Sequence, residues 1–128
     1  MTKHDNTDLL KKLTALENEA ATFGFKWDAA SQIMAQIRSE LAEIEDHLHD
    51  TDRVRLQEEI GDLLHAAFSL CIFCQLDANE TLSKSVMKFA SRFNAVKQLA
   101  QIEGLQDLNG QPFNKLMALW DQAKEMTE

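Results

Sequence analysis

The sequence predicts an all-α protein, an antiparallel helical bundle of about four main helices plus a short C-terminal helix. Apolar residues recur every three or four positions along long segments, which is the spacing of one buried helix face. Glycine, proline or short polar runs separate these segments, and no segment offers a strand. A length of 128 residues with 45% hydrophobic content suits one domain over residues 1–128, with a core that needs no disulfide or structural metal.

The first helix is expected over residues 5–22, ending near Gly24, because glycine is a common helix stop. Asp28 is the expected N-cap of a second helix over residues 29–49, and a polar run then separates it from a third helix over residues 53–76. Phe25 and Trp27 lie in the first connection. They either staple the two helices together or, at Trp27, stack on a nucleobase.

The fourth helix, expected over residues 80–101, carries the most regular apolar stripe of the chain: Leu82, Val86, Phe89, Phe93, Val96 and Ala100. Such a stripe predicts a buried face, with Val86 in the core. Pro112 suits the first turn of the final helix. Broad stripes on thin helical hairpins leave area to bury, so a homodimer is expected, and a tetramer remains open.

Two pairs of carboxylates mark the second and third helices. Glu40 and Glu43 are three residues apart, as are Glu59 and Asp62, so each pair shares one helix face. Each pair also borders an apolar stripe. If the two helices pack through these stripes, the four carboxylates converge at the edge of the core.

Converging carboxylates repel one another and resist the loss of water unless a hard cation lies between them. Oxygen ligands favour Mg²⁺, Mn²⁺ or Ca²⁺ over Zn²⁺. A chain with 21 acidic residues among 128 also forms such pairs by chance on solvated helix faces. Their recurrence on consecutive helices, each time beside an apolar stripe, favours a metal site.

Gly61 and two histidines lie close to these pairs in the sequence. Glycine inside a helix costs about 1 kcal/mol relative to alanine, so Gly61 indicates a close approach of backbone or ligand. His47 is either an outer partner of the metal cluster or a surface histidine. His65 follows Asp62 by one turn and is either a ligand or a hydrogen-bonded histidine at the core edge.

The fourth helix also carries a basic ridge, formed by Lys84, Lys88 and Arg92 at intervals of four residues. This ridge is either a solvated face or a set of phosphate contacts. Arg92 would then suit a bidentate grip on phosphate and Lys88 a point charge.

Charge and composition exclude several classes of partner. A net charge of −8 and a pI near 4.9 argue against nucleic acid, whose backbone needs a basic surface. The sequence has no apolar signal core and no run near the roughly 18 apolar residues of a membrane span, so a cytoplasmic protein is expected. Cys71 and Cys74 lie in an apolar run without a second ligand pair, so burial of one or both thiols is expected.

The motifs resemble one family when they are taken together. The chain reads Gly24-Phe25-x-Trp27, Glu40-x-x-Glu43, Glu59-x-Gly61-Asp62-Leu-Leu and Lys88-Phe89-x-x-Arg92-Phe93, and its tail reads Leu116-Met117-x-Leu119-Trp120-x-x-Ala123-Lys124. In this order they resemble the MazG family of nucleoside triphosphate pyrophosphohydrolases. The resemblance is to the catalytic C-terminal half of two-domain members, and it covers residues 23–124.

The resemblance implies a dimeric helical bundle that hydrolyses nucleoside triphosphates to the monophosphate and pyrophosphate with Mg²⁺, or with Mn²⁺ in its place. By its motifs, the metal ligands would be Glu40, Glu43, Glu59 and Asp62, with Glu40 or Glu43 as the catalytic base. Lys88 and Arg92 would contact phosphate, and Trp27 would contact the base.

The chain departs from the family pattern at Lys26 and Ser39, where many relatives are acidic, and at Val86, where many have asparagine. The loss of that amide allows a second hypothesis, a non-catalytic bundle that binds a nucleotide or a protein partner. A carboxylate-bridged di-iron bundle fits poorly, because it typically needs Glu-x-x-His on two helices and this chain offers only Asp62-x-x-His65.

Overall fold

The computed structural model describes residues 8–128, and five helices lie within them. They are α1 (Leu9–Phe23), α2 (Ala30–His47), α3 (Arg53–Phe73), α4 (Ala78–Ile102) and α5 (Phe113–Thr127). Residues 8–128 contain no strand, so the prediction of an all-α protein is confirmed. The expected start of the first helix at residue 5 lies outside the described residues. The chain forms two compact units that divide after Thr81, inside α4.

In the first unit, α2 packs against α3, and α1 also contacts α3. Ile33 of α2 and Leu56 of α3 are almost completely buried, as the apolar stripes require. A polar link joins α1 to α3, because Glu17 Oε2 accepts a 2.6 Å hydrogen bond from Ser69 Oγ and lies 2.8 Å from His65 Nε2. The packing of α2 on α3 is what positions the predicted acidic pairs.

The ends of the helices follow local chemistry. Gly24 ends α1 with a φ of 105°, a conformation that glycine adopts without steric cost. The predicted N-cap at Asp28 is wrong, because Ala29 occupies the N-cap position of α2. Gln32, at the third position of α2, reaches back instead: its Oε1 accepts hydrogen bonds from the backbone N–H groups of Asp28 and Ala29, which precede the helix, at 2.8 and 3.3 Å.

In the second unit, α4 and α5 bury a small core of Ala95, Val96, Leu119 and Ala123. The final helix has 15 residues, the same length as α1, and is therefore longer than the short helix expected. Pro112 stands at the N-cap position, immediately before the first helical residue. Its carbonyl accepts hydrogen bonds from the backbone N–H groups of Lys115 and Leu116.

Two predictions about burial are wrong for the single chain. Val86 is 58% exposed, and Leu82, Phe89 and Phe93 on the same stripe are exposed as well. A periodic stripe shows that a helix face is apolar, but it does not show which surface covers that face. Phe25 is 81% exposed, so it does not staple α1 to α2.

The two cysteines differ in burial. Cys71 is buried in α3, and its thiol lies 3.3 Å from the hydroxyl of Thr81, whereas Cys74 at the end of the helix is exposed. The expectation that one or both thiols are buried is therefore confirmed for Cys71. Among the described helices, no single one is long and apolar enough to cross a membrane, and only α3 and α4 together, as a broken pair, reach that length and composition.

Candidate functional site: an acidic cluster between α2 and α3

The acidic cluster is formed by two buried and two exposed carboxylates. Glu40 on α2 is 6% exposed and Glu59 on α3 is 7% exposed, which is unusual for acidic side chains. Glu43 and Asp62 each lie three residues further along the same helices and are exposed. Each of the two helices therefore carries one buried and one exposed carboxylate.

The other three carboxylates of the cluster influence Glu40 electrostatically. Burial raises the pKa of Glu40, and the charges of Glu43, Asp62 and Glu59 raise that pKa further. A hydrogen bond from Gln36 opposes this rise. Because charges on α3 influence a carboxyl group on α2, the packing of the two helices brings both acidic pairs into one region.

Two oxygen atoms in this cluster have no hydrogen-bond partner. Glu40 Oε2 and Glu59 Oε1 are both buried and unpaired. The other oxygen of Glu40 accepts a 2.7 Å hydrogen bond from Gln36 Nε2, and Glu59 Oε2 lies 3.9 Å from Arg55 Nε. A buried, unpaired carboxylate oxygen costs free energy unless a cation or a donor satisfies it. The donor set is thus suited to a hard divalent cation.

The four carboxylates are not arranged as the coordination shell of one ion. Among the described residues, no three histidine, cysteine, aspartate or glutamate side chains stand close enough together to hold one ion. Glu43 and Asp62 are exposed and helical, so their side chains are the ones with rotamer freedom to adjust.

The predicted phosphate contacts lie in the second unit, on α4. Lys84 and Lys88 are exposed there, and Arg92 is half-buried. The guanidinium carbon of Arg92 lies 5.8 Å from the ring centroid of Trp120, and its Nε atom is buried without a hydrogen-bond partner. A guanidinium stacked on an indole keeps its N–H groups available for an anion.

The sequence analysis gave no site role to Gln36 in the first unit or to Trp120 in the second. Trp120 stood there only in the tail motif, and no spacing rule links residues 92 and 120. Gln36 was not singled out at all, although its position four residues before Glu40 was a usable signal. Trp120 also packs against Phe89, with ring centroids 5.8 Å apart.

The other candidates near the cluster have different partners. His47 Nδ1 lies 2.7 Å from Asp50 Oδ2, at the end of α2. His65 is held by Glu17, as expected for a hydrogen-bonded histidine at a core edge. Trp27 belongs to the first unit and is half-buried in the connection before α2.

The comparisons with known proteins point to one family. The model of the MazG nucleotide pyrophosphohydrolase domain matches residues 29–97, a little over half of the chain. The nucleoside triphosphate pyrophosphohydrolase/pyrophosphatase MazG of Thermotoga maritima is 32% identical over 109 residues, which cover 85% of this chain and 41% of that protein. The nucleoside triphosphate pyrophosphohydrolase of Escherichia coli K12 is 27% identical over 117 residues, covering 90% of this chain and 44% of that protein.

The chain spans less than half the length of these two relatives. The matched segment contains α2, α3 and most of α4, and therefore all four carboxylates of the cluster as well as Lys88 and Arg92. The acidic pairs, their helices and the matched region coincide. This chain belongs to the MazG nucleotide pyrophosphohydrolase family.

Proposed function

We propose that this protein hydrolyses nucleoside triphosphates to the nucleoside monophosphate and pyrophosphate, with Mg²⁺ as its cofactor and Mn²⁺ as a substitute. The observation that carries the proposal is the pair of buried, unpaired oxygens, Glu40 Oε2 and Glu59 Oε1, within a cluster of four carboxylates. The names of the two relatives describe the same reaction class.

The four carboxylates would hold the cation through oxygen atoms, which is the ligand chemistry that Mg²⁺ prefers. The bound cation would make water a stronger nucleophile and neutralise charge on the phosphates. Glu40, Glu43, Glu59 and Asp62 are its proposed ligands. Either Glu40 or Glu43 would accept the proton of the attacking water.

Lys88 and Arg92 are the proposed contacts to the phosphates, and Trp27 is the proposed contact to the base. Arg92 has a buried Nε without a partner and a planar group supported by Trp120, which suits a bidentate grip on phosphate oxygens. Trp27 offers an aromatic face to any base, so stacking at this residue alone would not select among bases.

We further propose a homodimer as the working form, with a tetramer as the alternative. Large apolar side chains are exposed on the single chain, and four of those on α4, namely Leu82, Val86, Phe89 and Phe93, occupy one face of that helix. A two-fold partner is the commonest way to cover such a surface. We place the enzyme in the cytoplasm, where nucleoside triphosphates are free substrates.

The test is pyrophosphate release from a panel of ribo- and deoxynucleoside triphosphates, with and without Mg²⁺. Glu40→Gln and Glu59→Gln should each reduce Mg²⁺-dependent release at least about 100-fold, since each removes a proposed metal ligand and Glu40 is also a candidate for the base. Glu45→Gln is the matched control, because Glu45 is an exposed carboxylate on a different face of α2.

The panel also distinguishes the second function. If the folded parent protein binds Mg²⁺ and a nucleotide but releases no pyrophosphate from any substrate, the hydrolase proposal is overturned. That result would favour a non-catalytic bundle that binds a nucleotide.

A further inference from the structure

The two buried carboxylates share an arrangement that the proposed function does not explain. Glu40 and Glu59 each have one oxygen facing a side chain four residues earlier on the same helix, and each has one buried oxygen without a partner. Residues four apart lie one turn from each other on a helix face. In α2 the earlier side chain is Gln36, and in α3 it is Arg55.

The two contacts differ in strength and charge. Gln36 Nε2 donates to Glu40 Oε1 at 2.7 Å, a short hydrogen bond from a neutral amide. Arg55 Nε lies 3.9 Å from Glu59 Oε2, and the Arg55 side chain is 58% exposed, so this contact is loose. Only the Gln36 contact is short enough to hold its carboxylate, that of Glu40, in one rotation about the terminal side-chain bond.

The rotation of the Glu40 carboxylate decides which oxygen a ligand can reach. The terminal torsion of a glutamate is soft, so a free carboxylate samples both orientations. The bond from Gln36 occupies Oε1 and leaves Oε2 as the buried oxygen without a partner. An amide achieves this without adding a positive charge that would repel a cation.

We propose that Gln36 is a positioning residue that orients Glu40 so that Oε2 is presented to a divalent cation. This inference rests on the metal site of the proposed function. A purely structural contact would stabilise the fold and would leave cation affinity unchanged. The two roles therefore differ in what they predict for metal binding.

The experiment measures the affinity of the full chain for Mn²⁺, by electron paramagnetic resonance of the free ion and by calorimetry. Gln36→Leu removes the donor at similar size and should weaken Mn²⁺ binding about tenfold or more, the usual loss when a residue that orients a metal ligand is removed. Gln98→Leu is the matched control, since Gln98 is exposed on α4 and distant in sequence from both acidic pairs.

Gln36→Glu separates orientation from charge. It keeps the length and shape of the side chain, adds a negative charge beside the cluster and removes the amide donor. If charge alone governed affinity, this variant would bind Mn²⁺ more tightly than the parent. If orientation governs it, binding weakens as it does in Gln36→Leu.

Two further measurements complete the test. Thermal melting in the presence of a chelator should show that Gln36→Leu remains cooperatively folded, with a lower melting temperature than the parent because Glu40 Oε1 loses its donor. Mn²⁺ affinity is compared at a temperature below both transitions, which excludes loss of fold as the cause. In turnover assays at a fixed Mn²⁺ concentration, pyrophosphate release should fall in Gln36→Leu, because a smaller fraction of the variant holds the cation.

The outcomes separate this inference from the proposed function. If the parent binds Mn²⁺ and Gln36→Leu binds it equally well, the role of Gln36 is overturned and the metal site stands. Tighter binding by Gln36→Glu would also overturn it. A parent protein that binds no Mn²⁺ would overturn the metal site and this inference together.

Discussion

At the scale of single residues, Glu40 shows how burial turns an ordinary side chain into a candidate ligand. Its neighbours Ser39 and Leu41 are exposed, whereas Glu40 points into the contact between α2 and α3. The raised pKa follows from that burial first and from the other three carboxylates second. The same features that destabilise a free carboxylate would favour a bound cation.

The raised pKa of Glu40 leads to a prediction about pH. In the metal-free protein the folded state holds this proton more tightly than the unfolded state does, so the associated stability is present at low pH and is lost as pH rises through the folded pKa. Glu40→Gln imitates the protonated form at every pH. Its melting temperature in the presence of a chelator should therefore exceed that of the parent at neutral pH and approach it near the ordinary pKa of glutamate.

In the presence of Mg²⁺, the parent should melt at a higher temperature than Glu40→Gln. The cation stabilises the parent by binding to the folded state, whereas Glu40→Gln lacks one of the proposed ligands and should gain less. Melting curves from pH 4 to 8, with and without Mg²⁺, check both parts. The stability advantage of Glu40→Gln over the metal-free parent should shrink as the pH is lowered. An advantage that grew instead would contradict a raised pKa for Glu40.

At the scale of helices, the sequence allowed two explanations for Gly61 in the middle of α3, a close approach of protein backbone or of a ligand. The close approach of protein backbone expected from the sequence is wrong for the described residues, since a Cβ built at Gly61 would meet no atom within 4 Å. The surface at Gly61, between Glu59 and Asp62, is therefore open to a ligand or a partner chain.

Gly61→Ala should stabilise the metal-free protein by about 0.5–1 kcal/mol, because alanine loses less conformational entropy in a helix than glycine does. Urea unfolding measures this gain. If a substrate needs the open surface, pyrophosphate release should fall in the same variant. A destabilised Gly61→Ala would show that the position is already crowded in the folded chain.

The end of α3 stores strain at a residue that is not glycine. Gln75 has a φ of 61°, and the backbone N–H groups of Gln75 and Leu76 donate to the carbonyls of Ile72 and Cys71, at 2.9 and 3.0 Å. This is the helix ending in which glycine is usually found, as it is at Gly24.

Gln75→Gly should therefore stabilise the protein by about 1 kcal/mol through relief of the left-handed backbone conformation. Gln98→Gly is the paired control, because it introduces the same residue into the middle of α4 and should destabilise by a similar amount. Chemical denaturation of the two variants measures both changes. Equal destabilisation by both would show that Gln75 contributes a contact worth more than the strain.

At the scale of the whole molecule, the largest disagreement between sequence and structure is the apolar face of α4. Leu82, Val86, Phe89 and Phe93 lie within about 60° of one another around the helix, yet all four are exposed on the single chain. Monomeric proteins seldom leave such a continuous apolar surface in water. A second copy of the chain is the proposed cover.

Val86→Glu should shift the protein toward the monomer, because a charge buried in an apolar contact loses its hydration. Sedimentation velocity at several protein concentrations measures the change. Ile102→Glu is the control, since Ile102 is 82% exposed on the opposite side of α4 and should leave the assembly intact. A parent that sediments as a monomer at all concentrations would contradict the proposed dimer.

The sequence predicted the bounds of the helices well, but it predicted less well which of their residues are buried. Four predicted segments match α1 to α4 to within a few residues at each compared end, because the spacing of apolar residues, Gly24 and the polar run before Arg53 are local signals. The predicted N-cap at Asp28 is wrong because α2 begins one residue later, with Ala29 at the N-cap position. The exposure of Phe25 and Val86 could not be read from periodicity, since burial depends on what lies opposite.

Some features of the candidate site likewise follow from the sequence, and others follow only from tertiary packing. The sequence by itself determined that Glu40 and Glu43, like Glu59 and Asp62, share a helix face, because the geometry of an α-helix relates residues three apart without reference to the rest of the fold. Only the tertiary structure decided that Glu40 and Glu59 are the buried members, that one oxygen of each lacks a partner, and that Arg92 lies over Trp120. Loss of water depends on distant parts of the chain packing together, and no local spacing rule contains that information.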